Sequence, residues 1–257
     1  MDARLRTWTA GCAFVALLVV SGAGGARLRS VPLTVTLVGK GVVRLSDGRQ
    51  FTCNAEQCQR RFALRAGTKI TLRAQAARAW KFTGWRGACR RASGSCSVRL
   101  NGATHIAAWF ARPGARVNPI PLAQAAVLSD GWVVRVASAT LDATSQILAR
   151  PGNTPPSAGA QFTLVDVSAT YTGSGSSRFD PNDDRLQTIG ARDAAYDEGC
   201  GSNTLPGPPL DGHEGTAAGQ TVAGELCFEI AQDDAASLLL SMYDEGYSHY
   251  VWFALRP

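Results

Sequence analysis

The run Asp180-Pro181-Asn182-Asp183-Asp184 is the sharpest local candidate for chemistry. Oxygen ligands set close together in a loop suit a hard cation such as calcium. The EF-hand spacing is absent, because no glycine stands at its sixth position and no closing glutamate follows. Asp and Asn also favour ordinary solvated turns, where they hydrogen-bond their own backbone, so the run predicts weak calcium binding at most. Other reactive patterns fail on spacing. His213-Glu214 begins like a zinc-protease motif but lacks the second histidine four positions on. His105 and His249 stand alone in their regions. No Gly-x-Ser-x-Gly nucleophile elbow occurs, and no glycine loop precedes a helix to cradle a phosphate. Paired carboxylates are plentiful after residue 114, but sequence spacing does not set two of them across a cleft. No catalytic residue, cofactor or metal site is expected.

The cysteines carry a firmer message. The chain has seven. Cys12 lies in an apolar run near the start, which leaves Cys53, Cys58, Cys89, Cys96, Cys200 and Cys227. An even number in an exported chain implies disulfides. Sequence proximity suggests Cys53–Cys58, Cys89–Cys96 and Cys200–Cys227, out of the 15 connectivities that six cysteines allow. Zinc is the rival, but no Cys-x-x-Cys occurs.

Export is read from residues 1–26. Arg4 and Arg6 give a positive start, Ala10 to Val20 is a short apolar run, and small residues follow at Ser21-Gly22-Ala23 and Gly24-Gly25-Ala26. That is the pattern of a cleaved secretory signal; an uncleaved membrane anchor is the alternative. Once the signal is cleaved, no transmembrane segment is expected. The predicted location is secreted or cell envelope.

Net charge divides the rest. Residues 27–113 carry 17 Lys and Arg against Asp47 and Glu56, and residues 114–257 carry 7 Arg against 17 acids. Two modules of opposite sign are predicted, with attraction between them that salt would loosen. An arginine-rich strand face reads first as a solvated surface and second as a site for an anionic polymer. Nucleic acid is not the expected partner of a disulfide-bonded exported domain.

The elements that would position these groups are strands. Gln161 to Gly173 is the strongest signal, rich in β-branched and aromatic residues between Gly159 and Gly173. Val165, Val167, Ala169 and Tyr171 share one face and Phe162 and Leu164 the other, which implies a bulge or a strand covered on both sides. Leu33, Val35 and Leu37 alternate, as do Ile70, Leu72 and Ala74. Thr221 to Ile230 reads as a strand broken at Gly224, and Asp233 to Met242 as a turn or two of helix. Pro113, Pro119 and Pro121 mark residues 113–121 as a linker.

Two resemblances follow. Gly39-Lys40-Gly41, the Cys53/Cys58 pair, Ala66-Gly67-Thr68 and Phe82-x-Gly84-Trp85-x-Gly87-x-Cys89, with Cys96 after it, make residues 31–112 resemble the bacterial surface-repeat family related to the internalin B-repeats. That implies a small β module of exported or surface proteins, used for spacing or binding. Gly131-Trp132-Val133-Val134-Arg135-Val136, Gly159-x-x-Phe162, Tyr196, Gly219-x-x-Val222-x-Gly224-x-x-Cys227-Phe228 and Trp252-Phe253-Ala254-Leu255 make residues 122–257 resemble an uncharacterised family of extracellular immunoglobulin-like domains. Its relatives include secreted mycobacterial antigens with a telokin-like fold. That implies a β-sandwich without catalytic residues.

The expectation is therefore an all-β protein: a small disulfide-stapled β repeat module, then an immunoglobulin-like β-sandwich. Its expected role is extracellular binding, adhesion or spacing without catalysis. An exported hydrolase using acidic-module carboxylates and an anionic-polymer binder using the arginines are the two alternatives.

Overall fold

Alternating apolar residues make strands whose buried sides must meet other strands, and nearly every regular element among the described residues is a strand. The computed structural model describes residues 29–92, 94–181, 186–244, 246 and 248–257, without the side chains of residues 213 and 214. The signal expected over 1–26 lies outside the described residues.

The basic half holds eight strands: β1 (Ser30–Val38), β2 (Gly41–Leu45), β3 (Gln50–Cys53), β4 (Gln57–Arg65), β5 (Lys69–Ala76), β6 (Lys81–Gly87), β7 (Ser95–Arg99) and β8 (Thr104–Ala111). They form two four-stranded sheets, in the orders β4-β1-β8-β6 and β3-β2-β5-β7. The β1–β8 pair is parallel. Leu33, Val35 and Leu37 on β1 share one core with Val43, Leu45, Ile70, Leu72 and Ile106. Trp85 is 3% exposed; its indole N–H donates to the Gly94 carbonyl at 3.1 Å, and Phe82 packs edge-on against it at 5.4 Å. The turn at Gly39 needs glycine twice over: its φ is +86°, and a Cβ there would strike the Phe110 carbonyl and the Trp80 ring.

The acidic half comprises β9 (Ala125–Val127), β10 (Trp132–Thr140), the short helix α1 (Thr144–Leu148), β11 (Ala160–Tyr171), β12 (Ser176–Phe179), β13 (Gln187–Ile189), β14 (Ala195–Asp197), β15 (His213–Ala217), β16 (Thr221–Ala231), β17 (Leu239–Asp244) and β18 (His249–Ala254). Sheets β16-β11-β10-β9 and β14-β13-β17-β18 share one core, with β12–β15 as a separate ribbon. Trp132 is 1% exposed and lies 5.2 Å from the Tyr171 ring and 5.0 Å from Phe179. Truncating such a residue to alanine costs about 3–5 kcal/mol.

β11 is central, between β10 and β16. Its register with β16 runs unbroken, and the only irregularity against β10 falls between Val136 and Ser138 on that partner. The two faces of β11 are therefore both covered. Val165 and Val167 enter the main core, while Phe162 and Leu164 join a second cluster with Ile147, Cys200 and Cys227.

Three expectations are corrected. Gly224 does not break its strand: β16 runs through it, and the 208–210 segment lies so close that a Cβ would sit 2.5 Å from the Leu210 nitrogen. Leu239–Asp244 is a strand, because Leu240 and Met242 alternate into the sandwich core; only Ala235–Ser237 is helical, as a 3-10 turn. The 113–121 segment is not a free linker. Trp252 N–H donates to the Gly114 carbonyl at 2.9 Å, and Ile120 N–H to the Trp252 carbonyl at 2.8 Å. The chain thus lies along β18, with the prolines at positions that need no donor. Arg116 fastens it further: the guanidinium donates to the Gly190 carbonyl at 2.7 Å, pairs with Asp193 and stands 5.2 Å from the Trp252 ring centre.

Candidate functional site

The core fixes which side chains face outward. On sheet β3-β2-β5-β7, Val43, Leu45, Ile70 and Leu72 point in, so Arg44 and the alternate residues Lys69, Thr71 and Arg73 point out. Register then decides what stands beside what. Arg44 is directly opposite Arg73. Lys69 is directly opposite Arg99, and Thr71 opposite Ser97. Two like-charged pairs thus flank a row of hydroxyls. None of the four strands contains an acidic residue. The nearest acid in sequence, Asp47, is held by Arg49 through two side-chain bonds, which lower its carboxyl below the ordinary range.

Like charges directly opposite one another destabilise a sheet, so each pair costs the fold a fraction of a kcal/mol, on the order of 0.2–1 before screening. Arg44, Leu45, Ser46, Thr71 and Arg73 form a shallow depression of about 410 Å³. Among the described residues, no carboxylate pairs with either guanidinium of Arg44 or Arg73. The hydroxyls are set by the same strands. Ser46 Oγ accepts from Thr71 N–H at 3.2 Å, and Thr71 and Ser97 hydroxyls share a hydrogen bond at 2.7 Å.

The opposite sheet, β4-β1-β8-β6, is also without acids on its strands. There Arg86 stacks over Trp109 at 4.1 Å, and His105 Nε2 meets Thr36 Oγ1 at 2.9 Å. The sequence reading identified an arginine face but not its opposed pairs. Those pairs depend on β2 lying beside β5, which no local spacing encodes.

A cleft of about 490 Å³ lies between the modules, lined by Lys40, Glu56 and Trp80 on one side and by Ile120, Val127, Asp244 and Val251 among others on the opposite side. Two of its charged groups, Asp244 and Arg112, have structural partners. Buried Asp244 accepts from Ser129 N–H at 3.3 Å and from the Ser129 hydroxyl. Arg112 donates to the Tyr250 carbonyl at 3.0 Å; burial lowers its pKa below the usual guanidinium value, and the Asp244 charge opposes that. Elsewhere in the acidic module, partial desolvation pushes the carboxyl of exposed Glu198 up; a backbone hydrogen bond from Cys227 opposes the shift and the Asp211 charge adds to it. Glu198 does not line this cleft.

The other named residues fall as follows. Cys53–Cys58 ties β3 to β4, Cys89–Cys96 ties the segment after β6 to β7, and Cys200–Cys227 joins the 200 loop to β16, with Cα separations of 5.6, 5.9 and 5.7 Å. Of the candidate calcium run, Asp180 pairs with Arg178, while residues 182–184 lie outside the described set. The side chains of His213 and Glu214 also lie outside it. Among the described residues no group of three or more His, Cys, Asp or Glu could hold a metal ion, and no described helix is long and apolar enough to cross a membrane. Among the described residues no ion pair links 29–111 to 122–257. The basic module is instead fastened to the 113–121 segment by side-chain-to-backbone hydrogen bonds: Lys81 Nζ donates to the Val117 carbonyl at 2.8 Å and Asn118 Nδ2 to the Ala79 carbonyl at 3.0 Å.

Fold and site together define an all-β, disulfide-stapled protein with an acid-free, cation-paired sheet face. No family model matches the chain, and no curated protein matches it. Among solved structures, the yjhA protein from Bacillus subtilis is similar at 10% identity, with a TM-score of 0.38, over 53% of this chain and 98% of that one. A functionally unknown protein from Listeria monocytogenes EGD-e is similar at 13% identity, with a TM-score of 0.35, over 52% and 85%.

Proposed function

We propose that the protein is a non-catalytic, secreted or cell-envelope binding protein whose basic module grips an anionic polymer. One observation carries this reading: eight strands of one module contain no acidic residue, and on one sheet two pairs of cations are set directly opposite each other. A merely solvated surface mixes both signs. Here the charge is left for something outside the module to neutralise. The disulfides and the resemblances to surface-repeat and extracellular immunoglobulin-like families support an extracellular setting. The acidic module, tied to β8 through the docked 113–121 segment, repels the same polymer and leaves the basic module as the gripping end.

Titration of the full chain with polyanions across a salt series tests the reading. The logarithm of the affinity should fall linearly with the logarithm of salt, with a slope that reports the number of cations engaged. Charge reversal of Arg44 and Arg73 to glutamate should reduce that slope by about 2. Failure to bind any polyanion at low salt would refute the proposal.

A further inference from the structure

Resting on that reading, we infer that the β2–β5–β7 face is a site for a base-free phosphodiester polymer, rather than for a carboxylate polymer or a nucleic acid. Alternate residues on a strand are about 6.5–7 Å apart. A chain lying along β5 therefore meets the Arg73/Arg44 pair, then the hydroxyl row at Thr71, then the Lys69/Arg99 pair, in equal steps. An anion at each step suits a linear polymer with one charge per short repeat.

The donors choose the anion. A carboxylate has two oxygens in one plane, and a single guanidinium fork satisfies them. Arg44 and Arg73 occupy directly opposite positions on adjoining strands and are both exposed, so two guanidinium groups are available to one anion. A phosphodiester group holds its two free oxygens in a tetrahedral arrangement, so each can face a different guanidinium. The hydroxyl row adds neutral donors. A hydroxyl has one hydrogen. Thr71 and Ser97 use one of their two hydrogens on each other, and Ser46 Oγ is an acceptor for Thr71 N–H. One hydrogen of the Thr71/Ser97 pair and that of Ser46 remain for a ligand. Hydroxyls between arginines can serve a phosphate that bears extra acceptor oxygens. Arg99 lends one N–H to the Gly67 carbonyl at 3.1 Å and keeps its others.

Nucleic acid is disfavoured by what the face lacks. Single strands are held by aromatic rings on which bases stack. Strands β2, β5 and β7 contain no Phe, Tyr or Trp, and the one ring on β3, Phe51, is buried. A polymer without bases loses nothing there.

The test uses the full chain at fixed ionic strength with three probes of matched charge number: poly(glycerol phosphate), polygalacturonate and oligothymidylate. The expected result is poly(glycerol phosphate) binding at least about tenfold tighter than polygalacturonate, the size of one good charge-assisted bond. Arg44→Thr with Arg73→Thr should remove most of that advantage. Thr71→Ala with Ser97→Ala, which changes no charge, should weaken poly(glycerol phosphate) several-fold and leave polygalacturonate where it was. Equal affinity for the phosphate and carboxylate polymers, both lost with the arginines, would overturn the phosphate inference and leave the polyanion reading standing. Tighter binding of oligothymidylate would overturn it in favour of nucleic acid. Binding of none of the three would remove both readings together.

Discussion

Replacing Arg73 with threonine should make the fold more stable while it weakens polymer binding. Arg73 is exposed on an inner strand, with Arg44 directly opposite on β2 and Ser95 on β7. A cross-strand pair contributes about 0.2–1 kcal/mol, with like charges on the unfavourable side. Because both side chains are exposed, screening holds the charge part to the lower half of that range at physiological salt. Threonine adds strand propensity on a scale that spans about 1 kcal/mol. The sum is a gain of about 0.5–1 kcal/mol, or roughly 2–8 °C in the melting temperature of a unit this size. Scanning calorimetry at 10 mM and 500 mM salt separates the two parts, since only the charge part fades with salt. Arg73→Lys, which keeps the charge, should show little gain at either salt. A loss of stability in Arg73→Thr at low salt would refute the reasoning, because it would mean that Arg73 makes a favourable contact that outweighs Arg44.

Other perturbations test the scaffold. Replacing Cys200 and Cys227 with serine opens a loop of sequence separation 27 and should cost about 3.5 kcal/mol by loop entropy, more than either shorter staple at about 2–2.5 kcal/mol; denaturant unfolding of each pair variant measures the order. Gly224→Ala places a methyl against the Leu210 backbone and should cost about 1–3 kcal/mol by overpacking, read from the shift in the denaturant midpoint. Glu198→Gln should stabilise the protein slightly at neutral pH: partial desolvation raises the folded pKa, so the native state binds the proton more tightly, and stability falls as pH rises through the folded value, by an amount that solvent screening at this exposed residue keeps small. The gain from Gln should shrink as pH is lowered toward the ordinary value of 4.5, which thermal melts across pH will show.

Alternation carried most of the fold. Leu33, Val35 and Leu37, or Val165 and Val167, need one dry face, and any β arrangement that supplies it satisfies them. The cysteines were legible for a similar reason, since short sequence separations leave few ways to meet. What the sequence concealed was non-local. Leu239 to Asp244 mixes apolar and polar residues in a way that suits helix or strand, and only pairing with β18 settles it. Gly224 looked like a strand breaker because the 208–210 segment that requires its bareness is far off in the chain. The prolines at 113, 119 and 121 looked like a linker, yet Gly114 and Ile120 between them supply the groups that dock on Trp252. The candidate site was hidden in the same way. Arg44 and Arg73 are 29 residues apart in a chain with many arginines, and their opposition exists only once β2 and β5 pair.

A surplus of positive charge does not by itself make a site, since a basic domain can scatter its arginines over water. Register is what separates the two cases here. The inward residues of β2 and β5 fix the pairing, because a slip of one position would turn Val43, Leu45, Ile70 and Leu72 toward solvent. Arg44 and Arg73 are therefore held together by the core and have no freedom to choose other neighbours across the sheet. The usual relief for such a pair is a carboxylate on the next strand, as Asp47 relieves Arg49 in the adjoining turn. Gln50 beside Arg44 and Ser95 beside Arg73 occupy those places instead. Both are uncharged and so leave the guanidinium charges unneutralised. One step along the sheet, Thr71 and Ser97 are likewise uncharged. The strands of this sheet supply no counter-charge for the pair, so its repulsion is set by register and tempered by salt alone.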